Sequence, residues 1–568
     1  MTSDAQPHLT FRSAVFGPIS YGGAAVGLLF FWSSLGPSLL PRATMMQGAV
    51  SAISAMFGYA VGVFLSMVWD AAVRRFGKPE WQIPRPRWFG WLLGAAALLL
   101  LAAMVALWPS WQSEQRELVG LEAVGLVSGL TAVAWTVGVA AILLLVARVL
   151  RWALVALDSF NRRHLSDVGG RALSVGIVVV FGVALYAFIA SSGLATFANA
   201  RFAGTDETTL EGVEQPTAAT SSGSPDSAAS WDSLGYQGRT FAGSATSVED
   251  LEAYSGSADA LPPIRIYAGL LSADTAEDRA ALVVSELERT NAKDREVVVV
   301  VATTGTGWVD PVAAAALEYM HNGDTAIAAM QYSYLPSWIS FILDTATSTE
   351  AGIAINNAVI GWWNALPADD RPRLIAFGES LGSLGSEAAY AKESLDGSLD
   401  AVQSQVDGAL WIGPTEANLV RSQLVAEREP SPVWKPVYDG GHIVRTENVP
   451  GEAAPDDPAW VAPRVAYYHH PSDPVGYWNW ETLWKPQEWS DDPVGYDVPA
   501  SVRWVPFTTF TQVVADLIAG FSAEVGHGHN YSNHFVEGWS IVAAPNGWTT
   551  DDTIRLEEHI ETLTLAGE

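Results

Sequence analysis

The residues Gly378-Glu-Ser-Leu-Gly382 place a serine between two glycines, a spacing that suits a nucleophile. An apolar run, Arg373–Phe377, precedes them, and a stretch rich in small residues follows. Where a chain turns sharply from a strand into a helix, small neighbours permit the turn and the serine hydroxyl stands exposed above the sheet. We therefore predict that Ser380 is a nucleophile rather than an ordinary turn residue.

A serine nucleophile needs a general base, and on a strand–turn–helix scaffold the histidine comes last along the chain. Both His527 and His529 follow a glycine in the stretch Gly526–Tyr531, so the sequence alone does not separate them. We take His529 as the base and His527 as the alternative. A His-x-His pair can also bind a metal ion, here together with His469 and His470, but no carboxylate cluster nearby completes such a site. We predict neither a metal nor a cofactor.

The acid that orients the histidine has two candidates in near-repeats, Ser472–Tyr477 and Asp491–Tyr496. Asp473 comes directly after the predicted strand Arg464–Tyr468, whereas Asp492 follows no strand. Since a triad acid must be held firmly to orient the imidazole, we predict that Asp473 is the acid and that Asp492 is an exposed turn residue.

Two backbone segments are candidates for an oxyanion hole. The N–H of Leu381 lies next to the nucleophile, and the second donor of such sites comes from the loop after an early central strand. That loop is Ala302–Trp308, where Gly305 and Thr306 are the predicted contributors. A dinucleotide fingerprint is the alternative, but Gly-x-Gly without a third glycine is too weak to support it.

Strands and helices alternate around these residues, which predicts a doubly wound, mainly parallel sheet. The predicted helices are Thr275–Asn291, Val312–Met320, Glu350–Leu366 and one beginning near Leu384. The predicted strands are Ile264–Tyr267, Glu296–Val301, Ala326–Met330, Arg373–Phe377, Gly408–Ile412 and Arg464–Tyr468. The segment 414–462, rich in Pro, Trp and acidic residues, is predicted to be a lid-like insertion.

The chain resembles the membrane-anchored alpha/beta-hydrolase family known chiefly from actinobacteria, which has a multi-span N-terminal module. The motifs that carry the resemblance are Gly305–Pro311, Gln331–Trp338, Gly378–Gly382, His470–Pro474 and Gly526–His529. The resemblance implies an alpha/beta-hydrolase fold and, more faintly, a likeness to hydrolases that remove amino acids from aminoacylated phosphatidylglycerol.

Composition excludes several classes of protein. The chain has 568 residues, 49% of them hydrophobic and 16% charged, which excludes intrinsic disorder. It has no cysteine, so disulfides and thiolate metal sites are excluded. Residues 1–204 hold 14 Lys and Arg against 8 Asp and Glu, a balance of +6, so that the net charge of -30 leaves -36 on residues 205–568. Such an acidic second part disfavours nucleic acid as a partner.

The N-terminal part contains five stretches without Asp, Glu, Lys or Arg, each longer than the roughly 20 residues that cross a bilayer as a helix. They lie between Arg12 and Arg42, Arg42 and Asp70, Arg87 and Glu114, Glu122 and Arg148, and Arg171 and Arg201. We predict five transmembrane helices in residues 1–204.

Basic residues predict the orientation, because they concentrate in cytoplasmic loops. One basic loop follows the second span and the other follows the fourth. Their basic residues are Arg74, Arg75, Lys78, Arg85 and Arg87 in the first, and Arg148, Arg151, Arg162, Arg163 and Arg171 in the second. The N-terminus is then cytoplasmic, and an odd number of spans places the rest of the chain outside the cell membrane.

Residues 205–234 are rich in Ser, Thr, Ala and Gly, a composition that predicts a flexible linker. The hydrolase domain would then occupy residues 235–568. The tryptophans at 434, 460, 478, 480, 484 and 489 either fill a loop-rich core or form a mouth at the bilayer surface, since Trp favours that boundary.

The sequence thus predicts a membrane-anchored serine esterase whose partners are the lipid bilayer and a lipid substrate. The acidic outer part favours lipids with added positive charge, such as aminoacylated phosphatidylglycerol. An envelope lipid acyltransferase that uses the same acyl-enzyme, and a non-catalytic receptor or scaffold on a hydrolase fold, are the alternatives.

Overall fold

The computed structural model describes residues 18–76, 86–165, 167–190 and 202–566. The chain divides into two compact units, which we name the helical unit and the sheet unit. The helical unit comprises Met1–Ser191, Trp480–Ser490 and Tyr496–Ala519, and the sheet unit comprises Ser192–Asn479, Asp491–Gly495 and Gly520–Glu568.

The helices of the described residues are numbered in chain order. They are α1 Tyr21–Ser33, α2 Thr44–Phe76, α3 Arg87–Leu118, α4 Leu126–His164, α5 Asp167–Ala190, α6 Gly235–Gly243, α7 Val248–Ser255, α8 Ala276–Arg289, α9 Pro311–Met320, α10 Ser337–Leu343, α11 Thr345–Ala365, α12 Leu381–Ala388, α13 Leu395–Gln405, α14 Leu419–Ala426, α15 Thr508–Gly520, α16 Phe535–Val542 and α17 Thr550–Ile560.

Among the described residues, three helices are long and apolar enough to cross a membrane, not the five that we predicted. They are α2, α3 and the part of α4 from Leu126 to Asn161. The first predicted span forms only the 13 residues of α1, about 20 Å at 1.5 Å per residue, which is shorter than a bilayer core. Pro37 and Pro41 follow α1 closely and disfavour its continuation, because proline lacks an N–H and restricts the residue before it.

The fifth predicted span begins as α5, and residues 191–201 lie outside the described residues. Arg148 and Arg151, predicted to lie in a loop, are inside α4. Of the other basic residues, Lys78 and Arg85, and the side chains of Arg162, Arg163 and Arg171, lie outside what the structure describes.

The sheet unit contains a seven-stranded sheet in which each neighbouring pair of strands is parallel. The strands are β1 Ile264–Ala268, β2 Val297–Ala302, β3 Thr325–Met330, β4 Arg373–Glu379, β5 Gly408–Ile412, β6 Val444–Glu447 and β7 Arg464–Tyr468. They lie in the order β1-β3-β2-β4-β5-β7-β6. The sheet contains all six predicted strands, and β6 is the strand that we did not predict.

Helices cover both faces of this sheet, which explains the uninterrupted valines of β2. Val297, Val299 and Val301 pack into the core on one face, with α6, α7, α9, α16 and α17. Val298 and Val300 pack on the other face, with α8, α11, α13 and α14. A strand buried on both faces is apolar throughout. Since the strands are parallel, the loops that leave β2, β4, β5 and β7 meet at one edge of the sheet.

Residues 205–234, predicted to be a flexible linker, pack instead against the edge strand β1. The Ser222 N–H donates to the Arg265 carbonyl at 2.9 Å, and the Arg265 N–H donates to the Thr220 carbonyl at 3.1 Å. Ser227 and the backbone N–H of Ala228 both donate to the Glu286 carboxylate. Small polar residues cannot form a hydrophobic core of their own. Their short side chains let this backbone lie close beside β1, which is already buried in the core of the sheet unit.

The segment 414–462, predicted to be a lid, contributes to the core of the sheet unit. It contains α14 and β6, and Val420 and Leu424 of α14 are completely buried. Trp460 is also buried, at 1% exposure, whereas Trp480 and Trp484 are 57% and 63% exposed. This segment therefore adds a strand and a helix to the sheet unit, where we predicted a lid.

Candidate active site

The nucleophile candidate occupies a strained turn between β4 and α12. Ser380 has φ 55° and ψ -123°, a conformation that costs a non-glycine residue about 1–3 kcal/mol and persists only where the surroundings enforce it. Its N–H donates to the Ile412 carbonyl of β5 at 2.8 Å. The turn is thus held from the neighbouring strand, as the nucleophile elbow requires.

The two glycines of the motif are there because the turn is crowded. A Cβ on Gly378 would collide with the backbone of Gly382, and one on Gly382 would collide with the Ala302 carbonyl of β2. Only glycine permits these close approaches. The pattern that the sequence shows is therefore a packing requirement of this turn.

The structure brings His529 and Asp473 together at the carboxyl edge of the sheet. His529 Nδ1 lies 2.8 Å from Asp473 Oδ2, and the Asp473 side chain is fully buried. The other oxygen of Asp473 accepts the Val475 N–H at 2.9 Å, and Tyr531 donates its hydroxyl to Oδ2 at 2.7 Å. With Nδ1 occupied, His529 Nε2 has no hydrogen-bond partner within the described structure.

A second pair of histidines holds the loop that carries His529. His470 Nδ1 donates to the Gly528 carbonyl at 2.9 Å, and the Gly528 N–H donates to Ser472 Oγ at 2.8 Å. The Nε2 atoms of His470 and His534 are 2.8 Å apart. Burial lowers the pKa of His470 well below its usual value and that of His534 to about 3. Both rings are therefore neutral, and His534 donates to His470.

The alternatives weighed from the sequence have other environments. His527 is not among the residues that line the cavity next to Ser380. Asp492 accepts the Val433 N–H at 2.8 Å and pairs with Arg428 at 3.3 Å. Among the described residues, no group of three or more His, Cys, Asp and Glu side chains is arranged to hold a metal ion.

A cavity of about 540 Å³ joins the candidate residues, since Ser380, His529, Gly305 and Thr306 all line it. Gly305, predicted as an oxyanion donor, instead donates its N–H to the Tyr332 hydroxyl at 2.9 Å. This N–H satisfies the hydroxyl group of a buried tyrosine, so it is not free to bind an oxyanion.

The remaining oxyanion candidates are Leu381, Thr306 and one residue that we did not predict. Leu381 is the first residue of α12, directly after Ser380. The Thr306 carbonyl accepts the side-chain N–H of Gln331 at 3.0 Å, which holds the peptide that follows Thr306. Thr304 also lines the cavity, and its Oγ1 is buried without a partner in the described structure.

Comparison with known families agrees with this geometry. Residues 264–556, just over half of the chain, match the family described as "Alpha/beta-hydrolase family", and residues 35–245 match "Alpha/beta-hydrolase family N-terminus". The chain belongs to this alpha/beta-hydrolase family. No curated protein and no solved structure matches it. The N-terminal match extends to residue 245 and so includes the segment 205–234 that packs on β1 of the hydrolase.

Two carboxylates in the cavity of this hydrolase were not predicted from the sequence. Asp310 caps α9 by accepting the Val312 and Ala313 N–H groups at 2.6 and 3.2 Å. Glu379 precedes the nucleophile, and its Oε2 is buried without a partner in the described structure. Burial, together with the nearby charge of Asp310, raises the pKa of Glu379 well above its usual value. Among the described residues that line this cavity, none is Lys or Arg.

Sequence signals for these additional residues were present but not distinctive. Glu379 stands inside the serine motif, and Asp310 precedes a proline at the start of a helix, a common capping arrangement. Tyr531, which donates to Asp473, is two residues beyond the base. The spacing of these residues along the sequence does not indicate which other residues are buried beside them in the fold.

Proposed function

We propose that this hydrolase cleaves a carboxylic ester through Ser380, His529 and Asp473. The observation that carries the proposal is that His529 bonds a buried carboxylate through Nδ1, while its unpartnered Nε2 belongs to a ring that lines the same cavity as Ser380. An imidazole fixed in this way is ready to act as a general base for a serine hydroxyl.

The reaction would proceed in two stages through an acyl-enzyme. Ser380 Oγ attacks the ester carbonyl and passes its proton to His529 Nε2, while Asp473 stabilises the imidazolium. The N–H groups of Leu381 and Thr306 stabilise the tetrahedral oxyanion, and the Thr304 hydroxyl is a third donor. His529 then protonates the leaving alcohol, and a water molecule activated by the same base releases the acid and restores Ser380.

A membrane location is part of the proposal. It is supported by the three helices that are long and apolar enough to span a bilayer. With the basic end of α2 in the cytoplasm and α5, whose 24 residues are about 36 Å long, as a further membrane segment, the hydrolase lies on the outer face. An enzyme held at a membrane by such a module has a reason to be there if its substrate is a lipid ester.

The cavity favours an ester that carries a positive charge. Glu379 and Asp310 line it beside Ser380, and no Lys or Arg of the lining balances them. An ammonium group one carbon away from the scissile carbonyl would give the buried Glu379 side chain a positively charged partner, and Trp308, also in the lining, offers it an aromatic face. Aminoacylated phosphatidylglycerol has this arrangement, and the net charge of -36 on residues 205–568 would repel it less than it repels the anionic parent lipid.

The mechanism is tested by labelling the full-length protein with a fluorophosphonate and by measuring ester hydrolysis. Ser380→Ala should abolish labelling, and Ser380→Ala and His529→Ala should each lower the rate by several orders of magnitude, with little added by combining them. His527→Ala is the matched control and should remain active. Labelling that survives in Ser380→Ala, or loss of activity only in His527→Ala, would refute the assignment.

The substrate class is tested with two lipids that differ in one group, alanyl-phosphatidylglycerol and its propionyl analogue, which lacks the ammonium group. The wild type should prefer the alanyl ester, and Glu379→Gln should lower kcat/KM for that ester by roughly 10-fold or more while sparing the propionyl ester. Equal rates on the two lipids in the wild type would reject the ammonium site. Transfer of the acyl group to an added alcohol, rather than to water, would indicate an acyltransferase.

A further inference from the structure

A helix from the C-terminal half of the chain belongs to the helical unit. This helix, α15, lies between Asp473 and His529 in sequence, yet its residues through Ala519 are part of the same compact unit as α1–α5. The following residue, Gly520, is the first of the final segment of the sheet unit. The chain that leads to the candidate base therefore comes directly from the helical unit.

Hydrogen bonds within the helical unit fix α15 along its length. Thr508 bonds Ser33 of α1 at 2.8 Å, and the Gln512 side chain donates to the Gly36 carbonyl at 3.0 Å. Thr511 also bonds Ser54 of α2 at 3.3 Å. The ring of Phe507, just before α15, stacks on Phe57 of α2 with centroids 3.6 Å apart.

The last turn of α15 has the most specific of these contacts. The Ser38 hydroxyl donates to Asp516 Oδ1 at 2.8 Å, and the Leu39 N–H donates to Oδ2 at 3.0 Å. Asp516 is completely buried, and burial raises its pKa to about 6, against the opposing charge of Arg42. A buried carboxylate costs stability unless it is well bonded, so its presence points to a need for specific positioning.

Gly520, one turn beyond Asp516, holds the backbone of the candidate base. The His529 N–H donates to the Gly520 carbonyl at 3.1 Å. A side chain at position 520 would also come within 3.6 Å of His529 Cβ and 3.3 Å of Pro474. One helical turn is about 5.4 Å long, so a shift at Asp516 passes along a hydrogen-bonded helix to the residue that supports His529.

We propose that Asp516 is a positioning residue for His529, and that the segment Ser38–Leu39 of the helical unit sets the catalytic geometry through α15. The N-terminal module is then part of the catalytic apparatus and more than an anchor. This inference rests on the proposed function, because it assumes that His529 is the base.

The test uses full-length protein in nanodiscs and compares Asp516→Asn and Ser38→Ala with the wild type. Since a misplacement of about 1 Å can cost on the order of 100-fold in rate, Asp516→Asn should lower kcat at least about 10-fold while KM changes less than about twofold. The matched control is Glu524→Gln, which removes one negative charge from an exposed position near His529 and should retain the wild-type kcat.

Two double variants separate positioning from a general loss of structure. In a His529→Ala background the base is absent, so adding Asp516→Asn should leave the residual rate unchanged. The double variant Asp516→Asn with Ser38→Ala should be no slower than the slower of the two single variants. Both substitutions break the same contact, the hydrogen bond between Ser38 and Asp516. A further fall in the His529→Ala background, additive losses, or a KM that rises in step with the fall in kcat would overturn the proposal.

The failure of this proposal is distinguishable from that of the proposed function. If Ser380→Ala is inactive and Asp516→Asn has the wild-type kcat, only the positioning role is refuted. If Ser380→Ala keeps the wild-type rate, the proposed function itself is refuted.

Discussion

Gly413 shows how closely single residues are fitted around the candidate base. It follows β5 and has φ +56°, and a Cβ at this position would lie 2.8 Å from His529 Cε1 and 2.8 Å from the ring of Tyr531. Real Cβ atoms do not approach other atoms this closely, so any side chain here would have to displace the imidazole or the tyrosine. Gly413 therefore belongs to the surroundings that determine where His529 lies.

We predict that Gly413→Ala lowers the rate of ester hydrolysis by about 100-fold, the cost of a misplacement near 1 Å. The matched control is Gly440→Ala, because Gly440 has a similar φ of +58° but open space around its Cβ position. In both variants the alanine costs about 1–2 kcal/mol of stability at this left-handed φ, which thermal unfolding measures. Equal activity in the two variants would mean that the space around His529 is not critical.

Glu537 of α16 is a buried acidic residue that links this helix to a neighbouring loop. Its Oε1 accepts the N–H groups of Gly451 and Ala453, each at 3.2 Å, from the segment that joins β6 to β7. It is 2% exposed, and burial, with help from the nearby carboxylates of Glu557 and Glu447, raises its pKa to about 7. The Glu537 side chain thus bonds α16 to the loop between β6 and β7, at a buried position where a negative charge is unfavourable.

The sign of the pH effect follows from this raised pKa. Folding favours the protonated form, so the stabilisation is complete below the unfolded pKa of 4.5 and is lost as the pH rises through about 7. The loss is on the order of 3 kcal/mol from a shift of this size. Between pH 5 and 8 the Tm of the wild type should fall more than that of Glu537→Gln, measured by differential scanning fluorimetry. Glu558→Gln, at an exposed position of α17, is the control and should follow the wild type.

At the scale of the whole molecule, the asymmetry of charge bears on the proposed topology. Residues 1–204 have a balance of +6 and residues 205–568 one of -36, and Arg74 and Arg75 end α2. With this end of α2 in the cytoplasm, α3 and α4 lead the chain out and back again, and α5 is the segment that carries it across once more. The proposed outer position of the hydrolase therefore depends on α5 crossing the membrane.

We predict that a reporter fused after Glu568 is active if it functions only outside the cytoplasm, because the basic end of α2 stays in the cytoplasm and α5 then carries the chain out. Alkaline phosphatase fused at this point, compared with a cytoplasm-dependent fluorescent protein at the same point, provides the measurement. Activity of only the cytoplasmic reporter would reverse the orientation and remove the outer leaflet as the source of substrate.

The sequence by itself determined the features that depend on local pattern. The uninterrupted valines of β2, the glycines around Ser380 and the order of Ser380, Asp473 and His529 each follow from one stretch of chain and its steric needs. These patterns predicted six of the seven strands and indicated which serine, acid and histidine to consider. They also predicted the long apolar helices α2, α3 and α4, because composition alone decides whether a segment tolerates a bilayer, but they indicated five spans where the described residues show three.

Only the tertiary structure decided features that depend on what lies beside a residue. It showed that the Gly305 N–H is used by Tyr332, that Asp473 rather than Asp492 bonds His529, and that Glu379 and Asp310 share the cavity. It also showed residues 205–234 packed on β1 and α15 bound within the helical unit. The partners of these polar segments lie far along the chain, 58 residues apart for Ala228 and Glu286 and 478 for Ser38 and Asp516, and local sequence carries no record of such pairings.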